Sequence, residues 1–336
     1  MDVLQNTVKL QAAGSSLYSA GSGVEGVDDR AEPAAQPAGI SSGCFARELI
    51  QHQIRRLGQL QAEVLADLDP EPLHQMRVSL RRLRTALGQF APALELPDSV
   101  RIRRIAAVAR CTSHCRDLDV MKLRLGEELM PRLPENEQLG LTAVIKRIER
   151  ERARAFETVV ESLRSSRYLK LLATLDKWQQ RPRFTALGEL PLIDWLYEWQ
   201  EPFTAGLFLH PGWMCDDPKA DTVHELRKRI KGARYSLEAL DSWISPTLKS
   251  WIKKLRQAQD HLGELRDLQI LGTIMAQHDD HKNNQNLPLL TNEIQGEQRR
   301  HWLQWRQLSD QLRQGSSRHA LRSELVLLGP RTSGHL

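Results

Sequence analysis

The chain has 336 residues, with 47 Lys and Arg against 42 Asp and Glu for a formal charge of +5. Apolar residues make up 40% and charged residues 26%, ordinary usage for a folded protein, which excludes wholesale disorder. No apolar run approaches the ~18 residues that a membrane-spanning helix needs, so a membrane partner is not expected.

Residues 1–43 are rich in Gly, Ser, Ala and Pro and carry no apolar stretch of the secretory type. They read as a flexible tail. Four cysteines (Cys44, Cys111, Cys115, Cys215) make no disulfide framework for this length, which fits a reducing, cytoplasmic setting. From Cys44 the sequence is helix after helix, rich in Leu, Glu, Gln, Arg and Ala and without a period-two strand. Four long stretches precede Arg181-Pro182: Phe45–Leu68, Pro72–Ala91, Asp98–Met130 and Glu135–Trp178. Four follow: Leu190–Leu209, Ala220–Trp243, Pro246–Gln277 and Leu287–Gln314. Prolines fall near their ends, where a missing N–H is tolerated. Short connections imply antiparallel neighbours, so the expected class is all-α, with antiparallel four-helix bundles over 44–180 and 190–325 and a second tail at 326–336.

An internal repeat runs through this pattern at an offset of 150. Leu73-His74-Gln75-Met76-Arg77 falls on Val223-His224-Glu225-Leu226-Arg227. In the same register Ile102-Arg103-Arg104-Ile105 meets Ile252-Lys253-Lys254-Leu255, and Arg116-Asp117-Leu118 meets Arg266-Asp267-Leu268. At about 100° per residue, His74, Arg77, Arg81 and Arg84 share a stripe roughly 80° wide, beside an apolar face of Leu73, Met76, Leu80, Leu83 and Leu87. His224, Arg227, Lys231 and Arg234 repeat it. A solvated basic face normally interleaves Glu at i+4. Neither stripe contains an acid, and each adjoins the core face, as the wall of a groove does.

Arg presents a planar fork of donors suited to phosphate, and Lys a point charge. Cations repeated once per turn suit a linear polyanion better than one compact phosphate. No Gly-rich phosphate loop is present, and no cofactor is called for.

The motif His74-x-x-Arg77-x-x-x-Arg81-Arg82-Leu83-Arg84, followed by Arg116-Asp117-Leu118, resembles the conserved histidine α-helical domain (CHAD) family. His224-Glu225-Leu226-Arg227-Lys228 with Leu265-Arg266-Asp267-Leu268 resembles that family's second repeat. The resemblance covers roughly Cys44 to Leu325. It implies two bundles about a pseudo-twofold axis, a basic cavity that binds inorganic polyphosphate, and association with polyphosphate granules. The motif's positions carry over onto His74, Arg77, Arg81, Arg82 and Arg84, and onto His224, Arg227, Lys228, Lys231 and Arg234. Gly232 stands where Arg82 does, so one charge is lost there, while Lys228 and Arg229 replace Val78 and Ser79.

Arg116-Asp117 and Arg266-Asp267 either place an arginine in the cavity or form a structural ion pair. Arg103, Arg104, Lys253 and Lys254 are candidates to extend the basic surface. Cys111, His114 and Cys115 lie within one turn and hint at a metal, but a fourth ligand and a repeat counterpart are missing, so none is expected. Trp195/Trp199 and Trp302/Trp305 have core spacing. Replacing Arg150 and Arg152, outside both stripes, should do little to the salt dependence of binding. The expectation is a non-enzymatic polyphosphate binder. Alternatives are a nucleic-acid backbone binder, opposed by the lack of aromatics interleaved with the stripes, and a phosphohydrolase or regulator of polyphosphate metabolism, opposed by the lack of acids in them. The oligomeric state is left open.

Overall fold

The computed structural model describes residues 39–279 and 287–328, with side chains except at 276–279. The two expected tails lie outside the described residues except at their inner ends.

Ser41 and Ser42 already belong to the fold. The Ser41 hydroxyl accepts from Cys44 N at 3.2 Å and caps α1 (Ser42–Ala66), satisfying one amide of its first turn. Ser42 N and Gly43 N donate to Leu190 O and Gly188 O at 2.9 and 2.8 Å. The segment between the two halves is therefore laid across the start of α1. A Cβ on Gly43 would come within 2.5 Å of the Phe184 ring, and one on Gly188 within 2.2 Å of Ala93 O, so glycine is required at both.

The protein is all-α. After α1 come α2 (Glu71–Gln89) and α3 (Ile102–Leu123), then α4 (Glu135–Arg164) and α5 (Ser166–Gln180). The second half contains α6 (Leu196–Thr204), α7 (Asp221–Glu238), α8 (Pro246–Asp279), α9 (Pro288–Arg313) and α10 (Gly315–Val326). These are more and shorter helices than the sequence suggested, for identifiable reasons. Asp98–Met130 is not one helix: α3 ends at Leu123, a π-helical turn spans Arg124–Leu129, and Met130–Arg132 is 3₁₀ around Pro131. Glu135–Trp178 is divided at Ser165, whose backbone turns extended (ψ 138°) and whose hydroxyl accepts from Tyr168 N at 3.2 Å. Leu190–Leu209 is helical only in part. Pro202 lies inside α6, and Gly206 adopts a left-handed conformation (φ 66°) just beyond it. The stretch ending at Gln314 is followed by another helix, α10.

Each helix hides one apolar face. On α2 this is Leu73, Met76, Leu80, Leu83 and Leu87, and on α7 Val223, Leu226, Ile230, Ala233 and Leu237. Helices α1 to α4 pack in chain order, and α5 returns against α1 and α4. In the second half α7 packs on α8 and α8 on α9, with α6 against α7 and α10 against α6, α8 and α9. The halves meet where α2 packs on α7 and α3 approaches α8. The tryptophans pack as their spacing suggested: Trp199 and Trp305 are buried, and Trp213 stacks on Phe208 and Trp305.

Candidate anion-binding site

Because the apolar faces of α2 and α7 turn into their own halves, the adjoining basic edges are brought together where these helices meet. Arg81 Nη1 donates to Tyr235 Oη at 3.1 Å, and its guanidinium lies 5.7 Å from that ring. Arg77, Arg81, Arg227 and Lys231 form one electrostatic cluster. Lys231 is pushed down to about 6 by burial and by Arg227, Arg81 and Arg77, with Asp267 opposing. Burial also lowers Arg77 and Arg227. Gly263 on α8 makes room for Arg227, since a Cβ there would stand 3.1 Å from Nη2.

Two carboxylates face this cluster from the neighbouring helices. Asp117 on α3 lies 3.9 Å from Arg77 Nη2, a loose contact. Burial raises its pKa against the pull of Arg77, His114, Arg227 and Lys231. Asp267 on α8 is pushed up to about 6 by burial, Asp117 and Glu264, although Arg227 and Arg124 oppose. The acids missing from each stripe are thus supplied by the next helix, several turns beyond its start.

The cations are not saturated. Arg77 Nη1, Arg116 Nε, Arg227 Nε and His224 Nδ1 are buried without a hydrogen-bond partner among the described residues. Buried donors are almost always paired in folded proteins, so a cluster of orphans marks a place for an acceptor. His74 is lowered by burial and by Arg116, Arg77 and Arg81, with Glu71 opposing. His224 is lowered by burial and by Lys228, Arg266 and Arg227. Arg116 and Arg266 therefore lie beside the two histidines, at the edges of the cluster.

Other candidates are placed elsewhere. Arg234 is 7% exposed and held by Gln259 at 3.1 Å and Glu238 at 2.6 Å, a structural pairing. Lys228 is exposed and pairs with Glu225 at 2.6 Å. Arg84 is exposed with no partner among the described residues, and Arg82 lines a separate cavity. Arg103 and Lys253 are exposed, Arg104 donates to Ser99 O at 2.8 Å, and Lys254 lies 5.7 Å from the Trp251 ring. Arg103 and Arg104 sit about 20 Å along α3 from Asp117 at a helical rise of about 1.5 Å per residue. Cys111, His114 and Cys115 do not converge: His114 Nε2 is 3.2 Å from Glu151, and Cys115 is buried and pushed up to about 11. No group of three such ligands is present among the described residues.

One expectation requires correction. An aromatic does interleave with the basic edges: Tyr235 lies between Arg81 and Arg234, whose guanidinium is 4.2 Å from the ring. It is 6% exposed and offers no face to a base. Its helical angle beside Lys231 was the available signal. Arg152, outside both stripes, has a structural pairing of its own. It donates to Asp67 and Asp119 together, which with burial opposing raises its pKa.

Fold and site together define an all-α protein whose inner helices, two from each half, converge on a partly buried cluster of cations. Sequence comparison then gives the family: the CHAD domain matches residues 48–276, and the chain belongs to that family. The crystal structure of the CHAD domain from the plant Ricinus communis is similar over 89% of this chain and 96% of its own, with 25% identity and a TM-score of 0.57. PptA from Streptomyces chartreusis shares the fold over 80% of this chain and 99% of its own, with 16% identity and a TM-score of 0.61. No curated protein matches. Among the described residues no helix is long and apolar enough to cross a membrane.

Proposed function

We propose that the cluster binds a linear polyanion, inorganic polyphosphate, and that the protein is a binder rather than an enzyme. The carrying observation is the convergence of Arg77, Arg81, Arg227 and Lys231 from two sequence-distant helices, with buried donors left unpaired on Arg77 and Arg227. Four cations with Arg116 and Arg266 at the edges make a track rather than a pocket for one phosphate. The family is associated with polyphosphate, and four free cysteines suit a reducing compartment, which fits a cytoplasmic, granule-associated protein. The two halves are read as copies of one helical unit about a pseudo-twofold axis, α2 and α7 starting 150 residues apart at Glu71 and Asp221.

A competition titration tests this reading. Labelled polyphosphate is set against single-stranded and duplex DNA of equal charge at several salt concentrations. If Arg77, Arg81, Arg116, Arg227, Lys231 and Arg266 each meet a phosphate, the log–log salt slope should lie near −4 to −5, at about 0.7–0.9 per contact. Replacing Arg81 and Lys231 by Ala should flatten it by about 1.5–2 units with the helical content unchanged. DNA competing as well as polyphosphate would transfer the assignment to nucleic acid. Phosphate release on incubation with a divalent cation would make the protein a hydrolase, with Asp117 and Asp267 the acids to replace.

A further inference from the structure

The offset of 150 pairs Arg84 with Arg234, and the surroundings of these two arginines differ in charge. In the second half Arg234 Nε donates to Gln259 Oε1 at 3.1 Å, and Nη1 to Glu238 Oε1 at 2.6 Å. Glu238 also accepts from Arg256 at 3.1 Å. Burial raises the pKa of Asp260, on α8, against the pull of Arg234 and Arg256. This end of the second half is thus an ion network that balances itself. The first half keeps the arginine and drops everything that holds it. Gly88 stands for Glu238, Ala106 for Arg256, Ala109 for Gln259 and Arg110 for Asp260. Over these matched positions the second half has two arginines and two acids, and the first half two arginines and no acid.

Contacts between α2 and α3 set the first-half arginines in a row. Arg77 meets Asp117 at 3.9 Å, and a Cβ on Gly88 would lie 3.9 Å from Ile102 Cδ1. Helix α3 therefore runs back along α2 between these two points, with Arg84 between them on α2 and Arg110 and Arg103 on α3. Arg103, Arg110 and Asp117 are spaced by seven residues, which keeps them within about 40° in helical phase. Asp117 already faces the cluster, where Arg77, Arg227 and Lys231 pull on it. The row thus leaves the cluster at Asp117 and extends about 20 Å along α3, at about 1.5 Å per residue. Arg84, Arg103 and Arg110 are exposed, and none has a hydrogen bond or ion pair among the described residues. The loop before α3 carries the exposed acids Glu95 and Asp98 and bounds the row. Like charges along one edge with no acid between them repel, and an anion laid over them relieves that repulsion. At the matched end of the second half, a phosphate would first have to displace a carboxylate. We infer that a polyphosphate chain too long for the cluster continues onto the first half, over Arg84, Arg110 and Arg103, and not onto the second. The inference rests on the polyphosphate reading and gives that site a direction.

The test uses linear polyphosphate of two lengths, one with about a phosphate per cluster cation and one several times longer. In Arg84→Ala/Arg103→Ala/Arg110→Ala the log–log salt slope for the long chain should be flatter than wild type by about 2 units, at about 0.7 per contact, with the short-chain slope unchanged. Lys253→Ala/Arg256→Ala, at the matched end, should leave both slopes as they are. Gly88→Glu/Arg110→Asp copies the second half's acids onto the first and should flatten the long-chain slope at least as far as the triple substitution. All these positions are exposed, and circular dichroism reports the helical content of each variant. A long-chain slope kept by the triple variant overturns the inference and leaves polyphosphate binding standing. Equal flattening by Lys253→Ala/Arg256→Ala overturns it too, because the two ends are then equivalent. So does a flattened short-chain slope in the triple variant, since the three arginines would then belong to the cluster. Binding of neither length to wild type overturns both readings.

Discussion

Lys231 and Asp267 are shifted in opposite directions in the free protein, and in both the largest cause is burial. The lysine is pushed down to about 6 and the aspartate up to about 6. A lysine whose folded pKa is depressed lowers stability at every pH below its unfolded value, and the loss is complete once pH reaches the folded value. Lys231→Met should therefore raise the unfolding midpoint at pH 7, by about 0.5–2 kcal/mol, while weakening polyphosphate binding, the trade-off of a strained functional site. A midpoint lowered by that change would mean the lysine is already well paired. As pH falls toward 6, Lys231 gains a proton and Asp267 loses its charge, and both changes make the cluster more positive. The histidines, lowered by burial and their basic neighbours, protonate on the same side. Polyphosphate affinity should rise as pH is taken from about 8 to 5.5. Asp267→Asn should tighten binding at pH 8 by about three- to tenfold, removing one opposing charge, and flatten that rise. Fluorescence titrations at fixed ionic strength across this range decide it, and an Asp267→Asn variant as pH-dependent and as weak as wild type would remove Asp267 from the binding site. Sequence reasoning found both residues but not their weight, because burial at a helix crossing belongs to tertiary packing and not to helical phase.

Among the helices, the sequence was read best where side-chain phase decides and worst where a single residue redirects the backbone. The apolar and basic faces of α2 and α7 follow from periodicity alone, and the structure buries those apolar residues. The break at Ser165 depends on a hydroxyl acting as a cap within a run that otherwise favours helix. The π-helical turn at Arg124–Leu129 has no periodic signature, yet it precedes Pro131. Arg152 shows the same limit. On α4 it seems a surface charge, but it bridges Asp67, the left-handed C-cap of α1 (φ 54°), and Asp119 on α3. Its guanidinium also lies 4.9 Å from the Phe156 ring. Its side chain is 18% exposed and that of Asp119 9%. Removing one partner of such a set leaves poorly hydrated charge behind, so Arg152→Ala should cost about 2–4 kcal/mol in a denaturant titration. Arg150, exposed and donating only to Lys146 O, should change stability by less than about 0.5 kcal/mol when replaced by Ala. Similar midpoints for the two variants would show that the Asp67–Arg152–Asp119 bridge contributes nothing.

Across the whole molecule, the cationic cluster lies where the two halves meet, so its stability is the stability of their junction. That junction is built from polar links as well as from α2 packing on α7. Glu137 on α4, 3% exposed, accepts from Leu289 N and Leu290 N at 3.0 and 2.9 Å and so caps the start of α9 in the other half. Arg132 reaches Glu297 at 3.3 Å, and Arg124 pairs with Glu264 beside Asp267. The repeat and the basic stripes were legible in the sequence, but these links were not, since each joins residues of unlike position in the two halves and no offset of 150 relates them. Because a carboxylate at a helix N-terminus satisfies amides that have no intrahelical partner, Glu137→Ala should cost about 1–2 kcal/mol. The links also predict cooperative unfolding. Seven of the eight tryptophans, all but Trp178, lie from Trp195 onward, so tryptophan fluorescence reports mainly the second half while far-ultraviolet circular dichroism reports both. In guanidinium the two signals should change together in wild type. Saturating polyphosphate should shift both midpoints upward equally, because it binds only the joined state. In Glu137→Ala the midpoints should fall and still coincide, as one lost cap does not undo the packing of α2 on α7. Separate transitions in the wild type, with only one moved by polyphosphate, would instead make the halves independent units and place the ligand within one of them.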